Sequence, residues 1–136
     1  AAAGGVLLGS LNGVFFTDAT TSKPTFANHL NASNTATDIK GFVTDDPYQR
    51  YEVQSNNTGA SAQTDIGNVA NIEYTAGSSP DFVSKVELDD SDLATSDGQL
   101  KVIGVSRDPE NNDLTSANVN FVVTINEHFL KQEAGV

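Results

Sequence analysis

The chain contains no cysteine, no methionine and no tryptophan. Without cysteine it has no means of forming a disulfide framework, a cysteine-ligated zinc site or a thiolate nucleophile. Without tryptophan it lacks the aromatic side chain best suited to stacking against a ligand. These absences remove several common kinds of functional site before any motif is considered.

Basic residues are also scarce, since seven Lys and Arg stand against 18 Asp and Glu and leave a net charge of −11. Nucleic-acid-binding proteins neutralise phosphates with Lys and Arg, so we expect no nucleic-acid partner. No apolar run approaches the roughly 18 residues of a membrane span, and residues 1–8 lack the basic region that begins a secretory signal peptide. We therefore expect no membrane association and no complete signal peptide.

The apolar content is sufficient for a modest core. Val, Leu, Ile and Phe supply 34 of the 136 residues, which exceeds the roughly 20% below which highly charged chains are usually disordered. Asn, Thr, Ser, Asp and Gly dominate the rest and favour turns and half-exposed strands over helix interiors. We predict an all-β fold, a small antiparallel β-sandwich or barrel with long polar loops.

Alternating apolar and polar residues predict individual strands. The strongest pattern lies at residues 118–126, where Val119, Phe121, Val123 and Ile125 share one face. Further strands are predicted at residues 13–17, 49–55, 71–75 and 100–105, and a strand containing Phe42 and Val43 should end before Pro47. No helical pattern separates these segments, which favours antiparallel pairing.

Two local features predict turns and loops in the first third of the chain. Asn12-Gly13 is the dipeptide that a type I′ hairpin turn prefers, because both central residues need a positive φ. Residues 18–37 are rich in Asp, Thr, Ser and Asn and should form an ordered loop or a short strand. We expect Phe26 and Leu30 to anchor this segment on the core.

The sequence offers little catalytic machinery. It contains no Walker A loop, no GxGxxG fingerprint and no HExxH helix. His29 lies in a polar segment and His128 follows a strand, and neither has a recognisable nucleophile as a partner. We predict a protein that is not an enzyme, with no catalytic residue and no cofactor, in which these histidines lie at the surface or in an interface.

Acidic side chains cluster in two segments and raise the alternative of a calcium site, because hard cations prefer several oxygen ligands. The candidate ligands are Asp45, Asp46, Asp89, Asp90, Asp92 and Asp97. Neither the loop at residues 89–98 nor that at 108–113 has the glycine and glutamate that an EF-hand requires. Solvated acidic loops explain the same residues, and we assign no metal ligand.

Several short blocks, taken in order, carry a resemblance to a known group of proteins. The early blocks are Val14-Phe15-Phe16, Lys23-Pro24-Thr25-Phe26-Ala27-Asn28, Asp45-Asp46-Pro47, Tyr51-Glu52-Val53-Gln54 and Asp65-Ile66-Gly67-Asn68. The later blocks are Ser84-Lys85-Val86-Glu87-Leu88-Asp89, Leu100-Lys101-Val102-Ile103-Gly104, Val123-Thr124-Ile125-Asn126-Glu127-His128 and the terminal Ala134-Gly135-Val136. Over residues 13–136 the chain resembles the small virion proteins of tailed bacteriophages that decorate or cement the head.

The resemblance implies a structural component of the particle without enzymatic activity. It implies the major capsid protein as a partner, a place on the capsid surface of the virion, and the host cytoplasm as the site of assembly. Capsid lattices offer positions where cyclic oligomers close, so a homotrimer is expected. An acidic, cysteine-free β domain suits this role, because it stays soluble at high local copy number.

The N-terminal segment supplies the candidate interface. Val6-Leu7-Leu8 is an apolar stretch behind a Gly-rich lead, and residues 1–12 form either an arm that docks on a neighbour or the first strand of their own domain. Residues 13–136 form a single β domain. The predicted interface residues are Val6, Leu7, Leu8, Leu11, His128 and Phe129. If the arm alternative is right, removing residues 1–11 should leave a cooperative fold and abolish binding to the particle.

Other functions are also open. A tail or fibre component is the nearest alternative, because such proteins are also β-rich and polar. A carbohydrate-binding β module would need exposed aromatic side chains, for which Tyr48, Tyr51 and Tyr74 are the candidates. A hydrolase would require His128 to act without a recognisable partner.

Overall fold

The computed structural model describes residues 5–57, 60–77, 80, 82–94 and 96–131, and it is all-β, as predicted. The strands are β1 (Ser10–Thr17), β2 (Pro24–Ala27), β3 (Lys40–Thr44), β4 (Arg50–Gln54), β5 (Val69–Ala70), β6 (Ile72–Thr75), β7 (Lys85–Leu88), β8 (Leu100–Val105) and β9 (Asn120–Ile125). Short 3-10 helices occupy Gln63–Asp65, Asp90–Asp92 and Phe129–Lys131. The described residues include no helix with the length and hydropathy needed to cross a membrane.

The first three strands form an antiparallel sheet in the order β2-β1-β3. The apolar run Val14-Phe15-Phe16 lies in the central strand, and Val14 and Phe16 are buried on one face of the sheet. The contacts between this part of the chain and the rest include two made by aromatic side chains. The Tyr51 hydroxyl donates to the carbonyl oxygen of Thr44 at 3.3 Å, and the ring of His29 stacks on that of Phe82 with centroids 3.8 Å apart.

The other six strands close into a barrel-like unit. A four-stranded sheet has the order β4-β9-β8-β5, and β6 pairs with β7. Only Asn71 separates β5 from β6, so these two strands are one extended segment that changes partner from β8 to β7. A parallel bridge between Ser55 and Leu88 then joins the end of β4 to the end of β7 and completes the circuit.

The hydrophobic core fills this unit. Its buried members are Ala70, Ile72, Leu88, Leu100, Val102, Val119, Phe121, Val123 and Ile125. The alternation predicted at the end of the chain is confirmed, because the residues of β9 with odd numbers are buried and those with even numbers are half-buried. The core is therefore built from side chains of both sheets that face inward across the circuit.

The point at which the extended segment changes partner is held by a buried amide. Gln99 is fully buried, and its side-chain oxygen accepts a hydrogen bond from the backbone N–H of Ile72 at 3.2 Å. The preceding turn fits closely against β5, since a Cβ at Gly98 would lie 2.7 Å from the backbone nitrogen of Ala70. Only glycine fits at position 98, because any larger residue would collide with the backbone of β5. This close fit places Gln99 beside the point where the strand changes partner.

Two sequence-based expectations are wrong. Asn12-Gly13 is not a hairpin turn, because neither residue has the positive φ of a type I′ turn and both lie inside β1, where the pairing with β3 shifts as in a β-bulge. Phe26 and Leu30 do not anchor on the core, since both are exposed. Pairing with strands distant in sequence outweighs the local turn preference, and β2 directs Phe26 outward.

Replacing Gln99 tests the importance of this corner. We expect Gln99→Leu to lower the free energy of unfolding by at least about 1–3 kcal/mol, because the buried Ile72 N–H loses its acceptor. The exposed Gln63→Leu is the matched control and should change stability by no more than about 0.5 kcal/mol. Urea unfolding followed by circular dichroism measures both; equal stability of the two variants would contradict this role.

Candidate partner-binding surface

The N-terminal segment is hydrogen-bonded to its own domain. The backbone N–H of Leu7 donates to the carbonyl oxygen of Glu127 at 2.9 Å, and the N–H of Phe129 donates to the oxygen of Leu7 at 2.9 Å. These bonds form a parallel bridge between Leu7 and His128, and the Leu7 side chain packs against the core. Leu7 is thus bonded to its own domain and residues 10–12 lie within β1, the central strand of the three-stranded sheet, while residues 1–4 lie outside the described residues.

Gln99 fixes the start of this segment as well as the barrel corner. Its side-chain nitrogen donates to the carbonyl oxygen of Gly5. Its backbone oxygen also accepts from the N–H of Asn126 at 2.8 Å, at the end of β9. One buried residue therefore holds the N-terminal segment and the segment to which Leu7 is bonded.

The predicted interface residues divide into two groups. Val6, Leu8, Leu11 and Phe129 are exposed, whereas Leu7 is half-buried and His128 is buried. Leu8 follows the bridged Leu7, and Phe129 follows its partner His128. Because the two segments run parallel, Leu8 and Phe129 lie at the same end of the bridge. Leu130, which the sequence did not single out, is also exposed.

We name Val6, Leu8, Phe129 and Leu130 the bridge patch, because they flank the bridge between Leu7 and His128. Phe129 and Leu130 are 60% and 57% exposed although both are large and apolar. Backbone hydrogen bonds on both sides of the bridge hold the segments that carry them. A surface held in this way would lose little conformational entropy on binding a partner.

His128 is buried beneath the bridge, so the expectation that this histidine lies at the surface is wrong. The ring is 1% exposed, and its Nδ1 accepts a hydrogen bond from the backbone N–H of Leu130 at 3.0 Å. Nδ1 is therefore the acceptor and Nε2 carries the proton, and Nε2 has no hydrogen-bond partner within the described part of the chain. The ring shapes the turn that presents Phe129 and Leu130, and it has no direct access to a molecule in solution.

The other histidine lies far from this bridge in the sequence and makes different contacts. His29 stacks on Phe82, and its Nδ1 lies 2.7 Å from the side-chain oxygen of Asn28. Phe82 has a φ of 49°, in the left-handed region that bulky side chains rarely adopt. The stack therefore joins the loop after β2 to the loop before β7.

Two of the acidic residues considered as calcium ligands bond within their own loops. Asp89 accepts from the N–H and hydroxyl of Ser91, and Asp46 accepts from the N–H of Tyr48 at 2.9 Å. Within the described ranges, no three His, Cys, Asp or Glu side chains converge as metal ligands would. The geometry assigns these two carboxylates to loop structure.

Asp90 is the carboxylate most affected by its surroundings. It accepts from the Asn57 amide at 2.7 Å and from the hydroxyls of Ser55 and Ser61 at 3.3 and 3.4 Å. Burial, followed by the negative charge of Asp65, nevertheless raises the pKa of Asp90 above its usual value. The network lies at the seam between β4 and β7, where Ser55 is bridged to Leu88.

The tyrosines proposed for a sugar site occupy separate environments. Tyr48 is exposed, with the Lys131 ammonium 4.9 Å from its ring centroid. Tyr51 is half-buried on β4, and Tyr74 is exposed on β6. No ring contact joins two of these tyrosines in the part of the chain that the structure describes. They do not form one aromatic platform.

The chain was also compared with known proteins. No protein-family model, no curated protein and no solved structure matches it. The function of the bridge patch must therefore be inferred from its own residues and geometry.

The anchoring of the N-terminal segment can be tested by substitution. Leu7→Ser should lower the free energy of unfolding by about 1–2 kcal/mol, because it removes part-buried apolar contacts with the core. Leu8→Ser, the neighbouring and exposed control, should change it by no more than about 0.5 kcal/mol. Urea denaturation measures both variants, and two equally stable proteins would indicate that the segment is not docked.

The carboxyl groups of Asp90 and Asp113 should titrate in a defined order. Hydrogen bonds from the hydroxyl and N–H of Thr115 lower the pKa of Asp113, whereas burial raises that of Asp90. As the pH falls from neutral, Asp90 is protonated before Asp113, and its contribution to the free energy of unfolding rises because the cost of burying its charge is removed. Stability from Asp113 is complete above the unfolded pKa and is lost as the pH falls through its lowered folded value. Carboxyl NMR titration measures the order; the reverse order would contradict it.

Proposed function

We propose that this protein is a non-enzymatic structural component of a tailed-bacteriophage virion that binds the outside of the head and stabilises the shell. The bridge patch is the observation that carries the proposal, because it presents apolar side chains on segments held by hydrogen bonds. The ordered sequence blocks that resemble head decoration and cement proteins support the same role. The major capsid protein is the proposed partner at this patch.

The chemistry of attachment has two parts in this proposal. Val6, Leu8, Phe129 and Leu130 supply apolar contact with the shell. The net charge of −11 adds attraction to any basic region of the shell, and this attraction is screened over about 10 Å at 0.1 M ionic strength. Attachment that weakens with added salt therefore indicates a charged contribution, whereas attachment that is indifferent to salt indicates apolar docking alone.

The test is cryo-electron microscopy of the phage particles that carry this protein, together with rebinding to heads assembled without it. We expect density for a small β domain on the head lattice and rebinding of the purified wild-type chain. Leu8→Ser combined with Phe129→Ser should abolish rebinding, because both side chains belong to the bridge patch. Val83→Ser replaces an exposed apolar residue elsewhere and should rebind normally.

Other outcomes would replace the proposal. Density confined to the tail would assign the protein to a tail or fibre structure. Absence of the chain from every particle would reject the virion role altogether. Unchanged rebinding of the double variant, with both variants folded by circular dichroism, would reject the bridge patch as the contact.

A further inference from the structure

The three-stranded sheet has a second apolar surface that lies opposite its buried face. Phe15 pairs directly with Phe26, and Gly13, two residues before Phe15, pairs with Phe42. Directly paired residues, and residues two apart on one strand, point to the same side of a sheet. The three phenylalanines therefore share one face, which we name the aromatic face.

The rings on the aromatic face contact one another and remain open to solvent. The centroids of Phe15 and Phe26 are 4.8 Å apart, and those of Phe26 and Phe42 are 5.9 Å apart. Phe26 is 73% exposed and Phe42 is 48% exposed. Because Gly13 has no side chain, the central strand leaves space for the rings of the two outer strands to meet.

The sequence of the central strand indicates that this face is covered in the assembled protein. A sheet with one wet face alternates apolar and polar residues, whereas a strand buried on both faces has a continuous apolar run. Val14-Phe15-Phe16 is such a run, and among the residues that the structure describes Val14 and Phe16 are covered whereas Phe26 and Phe42 on the opposite face are exposed.

The charge distribution favours a second copy of this chain as the molecule that covers the aromatic face. The charged side chains of residues 1–44 are Asp18, Lys23, Asp38 and Lys40, so this segment has no net charge. The entire net charge of −11 therefore belongs to residues 45–136. A basic partner is attracted to the acidic barrel, whereas a like-charged copy of this chain meets least repulsion at the neutral sheet.

We propose that the aromatic face binds the aromatic face of a second copy of this chain. The same neutral patch on both subunits gives an isologous contact with two-fold symmetry. This contact is separate from the bridge patch and does not depend on the proposed function. It is also not the contact of a trimer, because a two-fold operation closes after two copies.

The area of the aromatic face limits the affinity of the proposed dimer. Each phenylalanine contributes at most about 150–250 Å², so Phe26 and Phe42 from two copies provide less than the roughly 1,200 Å² of a stable interface. We therefore expect reversible dimers that form at high protein concentration. Repulsion between the acidic barrels opposes them and is screened by salt.

Sedimentation velocity over protein concentrations up to the millimolar range tests the proposal at about 0.05 and 0.5 M sodium chloride. We expect a monomer–dimer equilibrium whose dissociation constant falls several-fold at the higher salt concentration. Phe26→Ser should weaken the dimer by about tenfold or more, since exposed aromatic anchors dominate small interfaces. Tyr74→Ser replaces an exposed aromatic side chain on β6. It is the matched control and should dimerise like the wild type.

The salt dependence of the wild-type chain provides a test that needs no variant. A protein that stays monomeric at both salt concentrations would overturn the proposal, as would a trimer or a dimer that is weakened by salt. Dimerisation that persists in Phe26→Ser would place the contact elsewhere and would also overturn it. None of these results affects rebinding to heads, which reports on the bridge patch.

Discussion

The barrel-like unit depends on one buried amide at the point where a strand changes partner. The segment of β5 and β6 leaves β8 at Asn71 and continues along β7, and the Ile72 N–H there is bonded to the Gln99 side chain. A buried backbone donor without an acceptor would cost about 1–3 kcal/mol. The Gln99 side chain therefore satisfies the backbone donor at the point where the segment of β5 and β6 changes partner.

The same residue connects the core to the surface. The Gln99 side chain also bonds to Gly5, and its backbone bonds to Asn126. Leu7 and Phe129 are then joined by backbone hydrogen bonds. Gln99 therefore links the barrel corner to both segments that carry the bridge patch.

The molecule separates two kinds of surface chemistry. The three-stranded sheet has no net charge and exposes phenylalanines, while residues 45–136 carry the entire charge of −11. Added salt weakens attraction between opposite charges and also weakens repulsion between like charges. If the proposed shell contact has a charged contribution, that contact and the proposed dimer contact respond to salt with opposite signs, and the two can be measured independently.

The all-β fold and several strands could be read from the sequence, because alternation in segments such as 118–126 reflects which side chains are buried. The apolar residues near the N terminus were equally visible as candidates for a surface. Long-range pairing was not visible: it drew Asn12-Gly13 into β1, turned Phe26 outward and buried His128 beneath the bridge. Local pattern indicated where several of the strands lie, whereas only the tertiary structure decided the full set of strands and their partners, because hydrogen bonds between distant segments fix register and direction.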